Sequence, residues 1–454
     1  MSAVWTERLA PIDELAMARS LSAEAGFAWL DSNRSEGQDG RYSFLAAWPS
    51  EEIRVEPGIA APFAALGAVR RTPETVAPVG LAPSEVPAWI GYISYDAFWS
   101  APTRGKPRFD RGHHPIILFR RYAALLAVDH ATGATWIIGD DRNACAVFRR
   151  RLSELCDRRP STPWIGAIEV DDAATHRNAI ERALAYIGMG EVYEVNVARR
   201  WSAPFEGDAL ELWQAMRVAS RVPLGMFLDA GDHAVLACTM ERFIHWDARS
   251  KRLVTRPIKG TIGREPTDGR ASQRLRADPK EQAEHSMIVD LMRNDLGRVA
   301  KIGSVKVDEP LIVEPFTGLY HLVSTVSCIT RPDVSLEAIL EATFPPGSVT
   351  GAPKIRALEI IEELEQHPRG VYCGALGFID RDGGISLAVA IRTATVARGR
   401  VCYWAGGGIV EASDPGREVA ETELKARVFL DAVATLQGSS EHASRASSEN
   451  AATR

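Results

Sequence analysis

Lys259 stands alone between a proline turn and a glycine, in Val254-Thr-Arg-Pro-Ile-Lys-Gly-Thr-Ile-Gly-Arg264. An amine there can act as a nucleophile once it sheds its proton, and the glycine beside it lets a ligand approach the backbone. A carboxylic acid lies within reach. Ala234 to Trp246 reads as one strand, Ala248-Arg-Ser-Lys251 as a turn and Leu253 onward as the return, which sets Glu241 roughly opposite Ile258. Amine and acid then meet at one strand end, a pairing suited to covalent and general-acid chemistry. Taken alone, the pair also reads as a surface salt bridge on a hairpin.

Carboxylates form a second constellation. Asp278-Pro279 begins a helix, with Asp as the N-cap and Pro in the first turn. Glu281 falls at the third position, where it also reads as a capping-box partner. Glu284 sits one turn on, at the edge of a face that becomes apolar with Met287, Ile288 and Leu291. A glutamate so placed needs a partner, and a metal ion is one. On the last helix, which starts at Asp414-Pro415, Glu418, Glu421 and Lys425 fall within roughly a 60° wedge, and Phe429 and Val433 carry the same stripe inward. These charges read either as an internal Glu–Lys ladder or, beside Glu284, as a shelf for a metal and an anionic substrate. Arg392 lies among Ala388, Ala390 and Ala394 on one face of an expected strand, Ser386 to Ala394. Open space above it suits bidentate capture of a carboxylate, unless a carboxylate of the protein fills that role.

The elements that must position these groups are legible in outline. Residues 1–165 read as a β-rich lobe, with strands at Phe27-Ala-Trp-Leu-Asp-Ser32, Gly40 to Ala46 and Trp89 to Tyr95. Ile116 to Asp129, a turn at His130-Ala-Thr-Gly133 and Ala134 to Ile138 form a hairpin. Gly58 to Pro87, rich in Ala, Pro and Gly, reads as irregular. Residues 166–437 read as the catalytic region: a helix at Asp171 to Met189, a strand in Gly190 to Arg199, and a three-stranded meander over 371–410 with turns at Asp380-Arg-Asp-Gly-Gly384 and Ala397-Arg-Gly-Arg400. Residues 438–454 are low in complexity and read as a disordered tail.

The 454-residue chain has ordinary globular composition, 46% hydrophobic and 25% charged, and a net charge of −6. Nothing there favours a nucleic-acid partner, so an anionic substrate needs a local basic pocket. Cys145, Cys156, Cys238, Cys328, Cys373 and Cys402 show no CxxC pairing and read as buried thiols in a reducing compartment. With no signal-like start and no apolar stretch of spanning length, the expected location is cytoplasmic, with no membrane contact. Gly347-Ser-Val-Thr-Gly-Ala-Pro-Lys354 lacks the ending of a phosphate loop. None of the ten histidines forms HExxH, and no cysteine sits in a glutaminase-type nucleophile elbow.

Pro257-Ile-Lys-Gly-Thr261 resembles the fingerprint of component I of aminodeoxychorismate synthase, in the chorismate-utilising enzyme family. Lys280 to Leu296, Pro346 to Arg356, Arg369-Gly-Val-Tyr-Cys-Gly374 and Gly406-Gly-Gly-Ile409 with its following helix join that resemblance in the family's order, over roughly residues 170 to 435. The resemblance implies an α+β fold, with orthogonally packed antiparallel β-sheets flanked by outer α-helices. It implies chorismate and ammonia as reactants and a separate glutamine amidotransferase subunit as partner in a heterodimer. It also implies Mg2+ held by Glu284 and Glu421, with Glu281 and Glu418 in support. Tyr372, Arg392 and the amides at Gly406 and Gly407 would hold the enolpyruvyl carboxylate, Lys425 would lie near the metal-bound carboxylate, and Thr261, His321 and Ser348 match positions lining the family pocket. Relatives that use water carry a lysine base at the position of Glu194, which argues against isochorismate or salicylate chemistry. In relatives, a segment like Ala28-Trp-Leu-Asp-Ser32 can border a tryptophan pocket.

Lys259 would then add to ring carbon 2 while Glu241, as general acid, protonates the hydroxyl leaving carbon 4. Ammonia would add at carbon 4 and expel the lysine, giving 4-amino-4-deoxychorismate, a precursor of p-aminobenzoate and folate. Lys259 must be neutral when it attacks; desolvation would favour that and nearby carboxylates oppose it. Three other readings stay open. Anthranilate synthase component I has alanine in place of Lys259 and is told apart by product. A non-catalytic, tryptophan-sensing subunit would bind tryptophan without turning over chorismate. A dual-use enzyme could feed a specialised pathway.

Overall fold

The computed structural model describes residues 5–32, 40–69, 81, 85–100, 108–109, 114–264, 268–316 and 319–452. Among them, strands form two large antiparallel sheets with helices around them, the α+β architecture expected; of thirteen and ten strands, three pair off the main paths, Trp164–Ile165 and Gly351–Ala352 on Glu194–Glu206 and Lys306–Phe316 on Leu319–Ile329. The first sheet runs Trp5–Leu9, Ala134–Gly139, Ala124–Asp129, Tyr42–Ala46, Ala28–Asp31, Leu224–Asp229, His233–Thr239, Thr393–Ala397, Arg400–Ile409, Glu194–Glu206 and Glu169–Val170. The second runs Ile258–Gly263, Leu319–Ile329, Arg252–Arg256, Arg242–Trp246, Ile385–Val389, Ala375–Asp380, Pro87–Ile93, Ile117–Arg121 and Glu51–Val55. Strands from both sides of residue 165 share each sheet: Ala28–Asp31 pairs with Leu224–Asp229, and Pro87–Ile93 with Ala375–Asp380. The residues expected as an N-terminal lobe are therefore woven into the same sheets as the catalytic region.

Three apolar clusters give the layering. Between the sheets, Ala28, Phe44, Leu125 and Val235 of the first meet Ile90, Tyr92, Leu118 and Leu376 of the second. On the outer face of the first sheet, Trp29, Leu126 and Ile137 pack on Phe148, Trp213 and Phe429 from helices Arg142–Glu154, Ala209–Ser220 and Pro415–Ala452. On the second, Phe243, Leu253 and Leu387 share a cluster with Leu296, Ile339 and Leu358 from helices Pro279–Gly297, Leu336–Thr343 and Lys354–Leu364. Alternation along each strand supplies one face to the inter-sheet core and the other to a helix layer.

Three stretches that read as single strands change sheets. The chain passes from the second sheet to the first at Tyr122-Ala123, from the first to the second at Met240-Glu241, and back at Ala390 to Arg392. Strands that switch sheets through a bend are how crossed sheets make their corners. The expected meander is accordingly two hairpins in different sheets, Ala375–Asp380 with Ile385–Val389 and Thr393–Ala397 with Arg400–Ile409, although both turns lie where expected. Within Gly58 to Pro87, Pro62–Ala68 forms a 3-10 helix, and residues 70–80 and 82–84 lie outside the described residues. The last helix, Pro415–Ala452, runs through the tail expected to be disordered. All six thiols are free; Cys156 is exposed, against expectation, and Cys402 is half-buried. Among the described residues no helix is long and apolar enough to cross a membrane.

Candidate active site

Lys259 lies on an edge strand, Ile258–Gly263, paired with Leu319–Ile329 so that Lys259 faces Leu322 and Thr261 faces His321. Behind it, buried His285 holds Ser324 Oγ at 2.7 Å, and burial pushes its imidazole down to about 4, so it is neutral. The amine itself reaches across to the first sheet. Lys259 Nζ donates to Glu194 Oε1 at 2.5 Å, while Glu194 Oε2 is buried with no hydrogen-bond partner. Gly408, opposite Asn196, closes the other side: a Cβ there would lie 2.2 Å from Glu194 Oε1 and 2.6 Å from Lys259 Nζ. Only glycine leaves room for this pair. Burial works to lower the Lys259 pKa, yet Glu194, with Glu284 and Glu241 behind it, more than offsets that and raises it above the ordinary lysine value. Desolvation does not supply a neutral amine here; the carboxylates win.

Glu241 occupies the corner between the sheets. Its carbonyl accepts from Val389 N at 2.9 Å and its N–H donates to Thr239 Oγ1 at 3.3 Å, which fixes the backbone at the bend. The residue is 5% exposed. Burial pushes its pKa up to about 7, moderated by the Ser348 hydroxyl, the charge of Lys259 and the Ile258 amide. The Ser348 hydroxyl favours the ionised carboxylate by proximity without forming a well-aligned hydrogen bond. A carboxyl poised near neutrality beside an amine has the protonation range of a general acid.

The four expected glutamates flank this pair from two helices. Asp278 caps the helix Pro279–Gly297 by accepting from the Lys280 and Glu281 amides. The Asp278 amide is taken by Leu275 O, so Glu281 is not its capping-box partner. Instead Glu281 Oε2 lies 3.0 Å from where a Cβ on Gly260 would be. Glu284 Oε1 is 3.6 Å from Lys280 Nζ and makes no hydrogen bond. From the last helix, Glu418 Oε2 and Glu421 Oε1 approach Gly407, at 3.1 and 3.9 Å from where its Cβ would be. Burial raises Glu281, Glu284 and Glu418 above the ordinary carboxylate range; for Glu421 burial is outweighed by Lys425, which holds it below. Among the described residues, no three His, Cys, Asp or Glu side chains gather closely enough to hold a metal ion by themselves.

The remaining residues divide. Lys425 Nζ bonds Glu421 Oε1 at 2.6 Å and Gly406 O at 2.9 Å, tying the last helix to the glycine strand. Arg392, at φ +50°, donates to the Lys425 carbonyl at 2.5 Å and makes no ion pair with a carboxylate among the described residues. It sits at the corner after Ile385–Val389, not on a flat strand face as expected. Tyr372 is buried and stacked on Trp404, with ring centroids 6.0 Å apart. Thr261 Oγ1 meets His321 Nδ1 at 2.9 Å. Ser348 lies in the short turn Gly347–Val349. That turn is carried by two buried ion pairs the sequence reading left unassigned. Lys354 grips Asp295 and two carbonyls, and Arg369, paired with Glu365, donates to Val349 O and Asn196 O. Glu194 and Gly408 were also missed as partners of Lys259, since their signal is a contact between distant strands. An open groove of about 850 Å³ beside Leu291 and Pro353 includes none of the expected site residues. In the Ala28–Ser32 segment, Asp31 is held by Arg217 at 2.7 and 2.9 Å and Trp29 packs edge-on against Trp213.

Residues 29–431 match the family described as chorismate binding enzyme. The chain belongs to that family. An aminodeoxychorismate synthase component 1 from Klebsiella aerogenes is 44% identical over 249 residues, which is 54% of this chain and 55% of that protein. The chain thus spans about half the length of such relatives. Anthranilate synthase component 1 of Thermus thermophilus is 33% identical over 440 residues, covering 91% of this chain and 93% of its own. Among solved structures, anthranilate synthase component I from Streptococcus pneumoniae TIGR4 superposes with a TM-score of 0.74 at 29% identity, over 87% of this chain and 93% of that one.

Proposed function

We propose that this chorismate-binding enzyme aminates chorismate at ring carbon 4, as an aminodeoxychorismate synthase component I, through a covalent adduct on Lys259. The supporting observation is at the sheet corner: a largely buried amine on an edge strand lies within electrostatic reach of a buried acid, Glu241, whose pKa is pushed up to about 7. The family resemblance gives alanine at this position in anthranilate synthases, and this chain has lysine. A second reading has its own support, since the Thermus relative that spans nearly the whole chain is named anthranilate synthase component 1.

Lys259 Nζ forms a bond to carbon 2, both ring double bonds shift, and the carbon 4–oxygen bond breaks as Glu241 delivers its proton, releasing water. Ammonia then bonds to carbon 4, both double bonds shift back, and the lysine leaves. The new ammonium returns a proton to Glu241. Arg392, Tyr372 and the Gly406-Gly407 backbone would bind the enolpyruvyl carboxylate, with Thr261, His321 and Ser348 around the ring. The donor set from Glu281, Glu284, Glu418 and Glu421 is all oxygen, and Glu284 Oε1 lacks a hydrogen-bond partner, which fits a hard divalent cation such as Mg2+. When bound, Mg2+ would offset the ring carboxylate's charge; retained waters suit a shelf with few converging protein ligands. Lys425 would lie beside that carboxylate. Ammonia would come from a separate glutamine amidotransferase subunit. On this reading the product feeds p-aminobenzoate and folate synthesis, and the enzyme works in the cytoplasm.

Product identity is the test. With chorismate, Mg2+ and ammonium salt the chain should yield 4-amino-4-deoxychorismate; glutamine should serve only once an amidotransferase is added. Anthranilate as the product would establish the second reading.

A further inference from the structure

The lysine route has an unmet requirement. Lys259 needs a lone pair, yet the free protein holds it as an ammonium: burial pulls its pKa down, but the surrounding carboxylates prevail. The groups facing it are Glu194 from Glu194–Glu206, Glu241 at the corner, Glu284 and neutral His285 from Pro279–Gly297, and at longer range Glu421 from the last helix. Only Glu194 among them hydrogen-bonds the amine in the described residues. Its side chain is 2% exposed, and Gly408 shields the pair where any side chain would collide. The second oxygen, Oε2, has no partner, so the carboxylate keeps an open acceptor position after it binds Lys259.

We infer that Glu194 is the proton acceptor for Lys259: it takes the Nζ proton as the amine bonds to carbon 2 and returns it when the amine leaves. This rests on the carbon-4 reading above. The balance closes. Lys259 ammonium and Glu194 carboxylate become amine and carboxylic acid; the amine bonds to carbon 2, and Glu241 protonates the departing hydroxyl. When ammonia has bonded to carbon 4, the expelled neutral amine recovers its proton from Glu194, and Glu241 recovers its own from the new ammonium. Glu241 and Glu194 therefore have separate tasks, one serving the oxygen and the other the nitrogen. Because the acceptor is bonded to the amine already, no hydroxide from solvent is needed.

The adduct can be followed by mass spectrometry of Lys259 peptides after mixing the full chain with chorismate and Mg2+ and no ammonia, which removes the titration of ammonia from the readout. Wild type should form it at a rate that is level below about pH 7 and declines above it, as Glu241 loses its proton. Glu194→Gln keeps size and hydrogen bonding but accepts no proton; it should be at least tenfold slower at neutrality and gain about tenfold per pH unit up to about pH 7, as solvent deprotonates the lysine, and level off above as Glu241 loses its proton. Chorismate binding and the thermal transition report on folding. A purely structural ion pair would shift the thermal transition and leave the pH profile alone. Should Glu194→Gln fail to fold, Glu194→Asp decides: a slower rate with the wild-type profile supports the acceptor role, and a rate that climbs toward pH 7 overturns it. A Glu194→Gln enzyme that matches wild type in rate and profile also overturns it, while leaving carbon-4 amination standing. Absence of any wild-type adduct removes the lysine route and this inference together; anthranilate as the wild-type product removes the carbon-4 reading itself.

Discussion

Two lysine–carboxylate pairs in this molecule are nearly identical by distance and burial. Lys354 meets Asp295 at 2.5 Å with side chains 11% and 6% exposed, and Lys259 meets Glu194 at 2.5 Å with side chains 15% and 2% exposed. The difference lies in the protons. An ammonium has three to donate. Lys354 spends them on Asp295 Oδ2, Thr343 O and Pro345 O, and so clamps the turn that carries Ser348 to the helix Pro279–Gly297. Lys259 has a single hydrogen-bond acceptor among the described residues, and that acceptor has an empty oxygen. A saturated ion pair stores position. An unsaturated one beside a second acid is available for chemistry.

The sharpest way to break the comparison is to remove each lysine. Lys259→Ala should lose roughly 10³-fold or more of carbon-4 amination, the scale of removing a covalent route, with the fold retained and residual amination moved toward carbon 2. Lys354→Met should instead leave Asp295 buried without its cation and lower stability by about 3–5 kcal/mol, with activity lost only in step with unfolding. Product analysis and thermal melts of both variants check this. If Lys354→Met is stable but inactive, the assignment of the two pairs is reversed.

Next in size is the acid. Glu241→Gln should cost roughly 10²–10⁴-fold in kcat. The sign of the pH effect follows from the protonated form being the active one. With its pKa raised to about 7, Glu241 keeps its proton below neutrality and loses it above. The rate should therefore decline as pH rises through about 7, and the amide variant should lack that limb. A wild-type profile that climbs through neutrality on the chemical step would remove Glu241 from this role.

The glutamate shelf should give a smaller and separable effect. Glu284→Gln and Glu421→Gln each delete a charged oxygen, and the Mg2+ needed for half-maximal rate should rise by roughly 10–100-fold or more. Chelation should abolish turnover in wild type and be reversed by added Mg2+. Near-normal activity of either variant at low Mg2+ would contradict the metal assignment. The smallest expected effect is at Gly408. Its alanine variant would push a Cβ to 2.2 Å from Glu194 Oε1, so the pair must separate; a loss of about tenfold, with adduct formation affected and chorismate binding spared, is expected.

Much of the site was legible because its chemistry is local. The cap at Asp278, the glycine next to Lys259 and the wedge of Glu418, Glu421 and Lys425 are all read within a few residues of one another. What escaped is the crossing between sheets. Ile116 to Asp129, Ala234 to Trp246 and Ser386 to Ala394 each alternate as one strand does, and alternation carries no mark of where a chain bends from one sheet into the next. Two of those bends hold Glu241 and Arg392, so reading them as mid-strand residues put Glu241 near the right partner and gave Arg392 the wrong setting. Glu194 and Gly408 were invisible as partners of Lys259 for a related reason. Their contact joins residues far apart in sequence, through a pairing of Glu194–Glu206 with Arg400–Ile409 that no short-range pattern encodes.

The central claim is that Lys259 acts as a nucleophile, and the most direct measurement is where the enzyme becomes modified. The full chain is mixed with chorismate and Mg2+ without ammonia, quenched, digested and mapped by mass spectrometry. The account predicts a modification on Lys259 equal to chorismate less one water, discharged as 4-amino-4-deoxychorismate when ammonium is added, with Lys354 unmodified. An unmodified Lys259 in a preparation that makes the carbon-4 product once ammonium is present would contradict it.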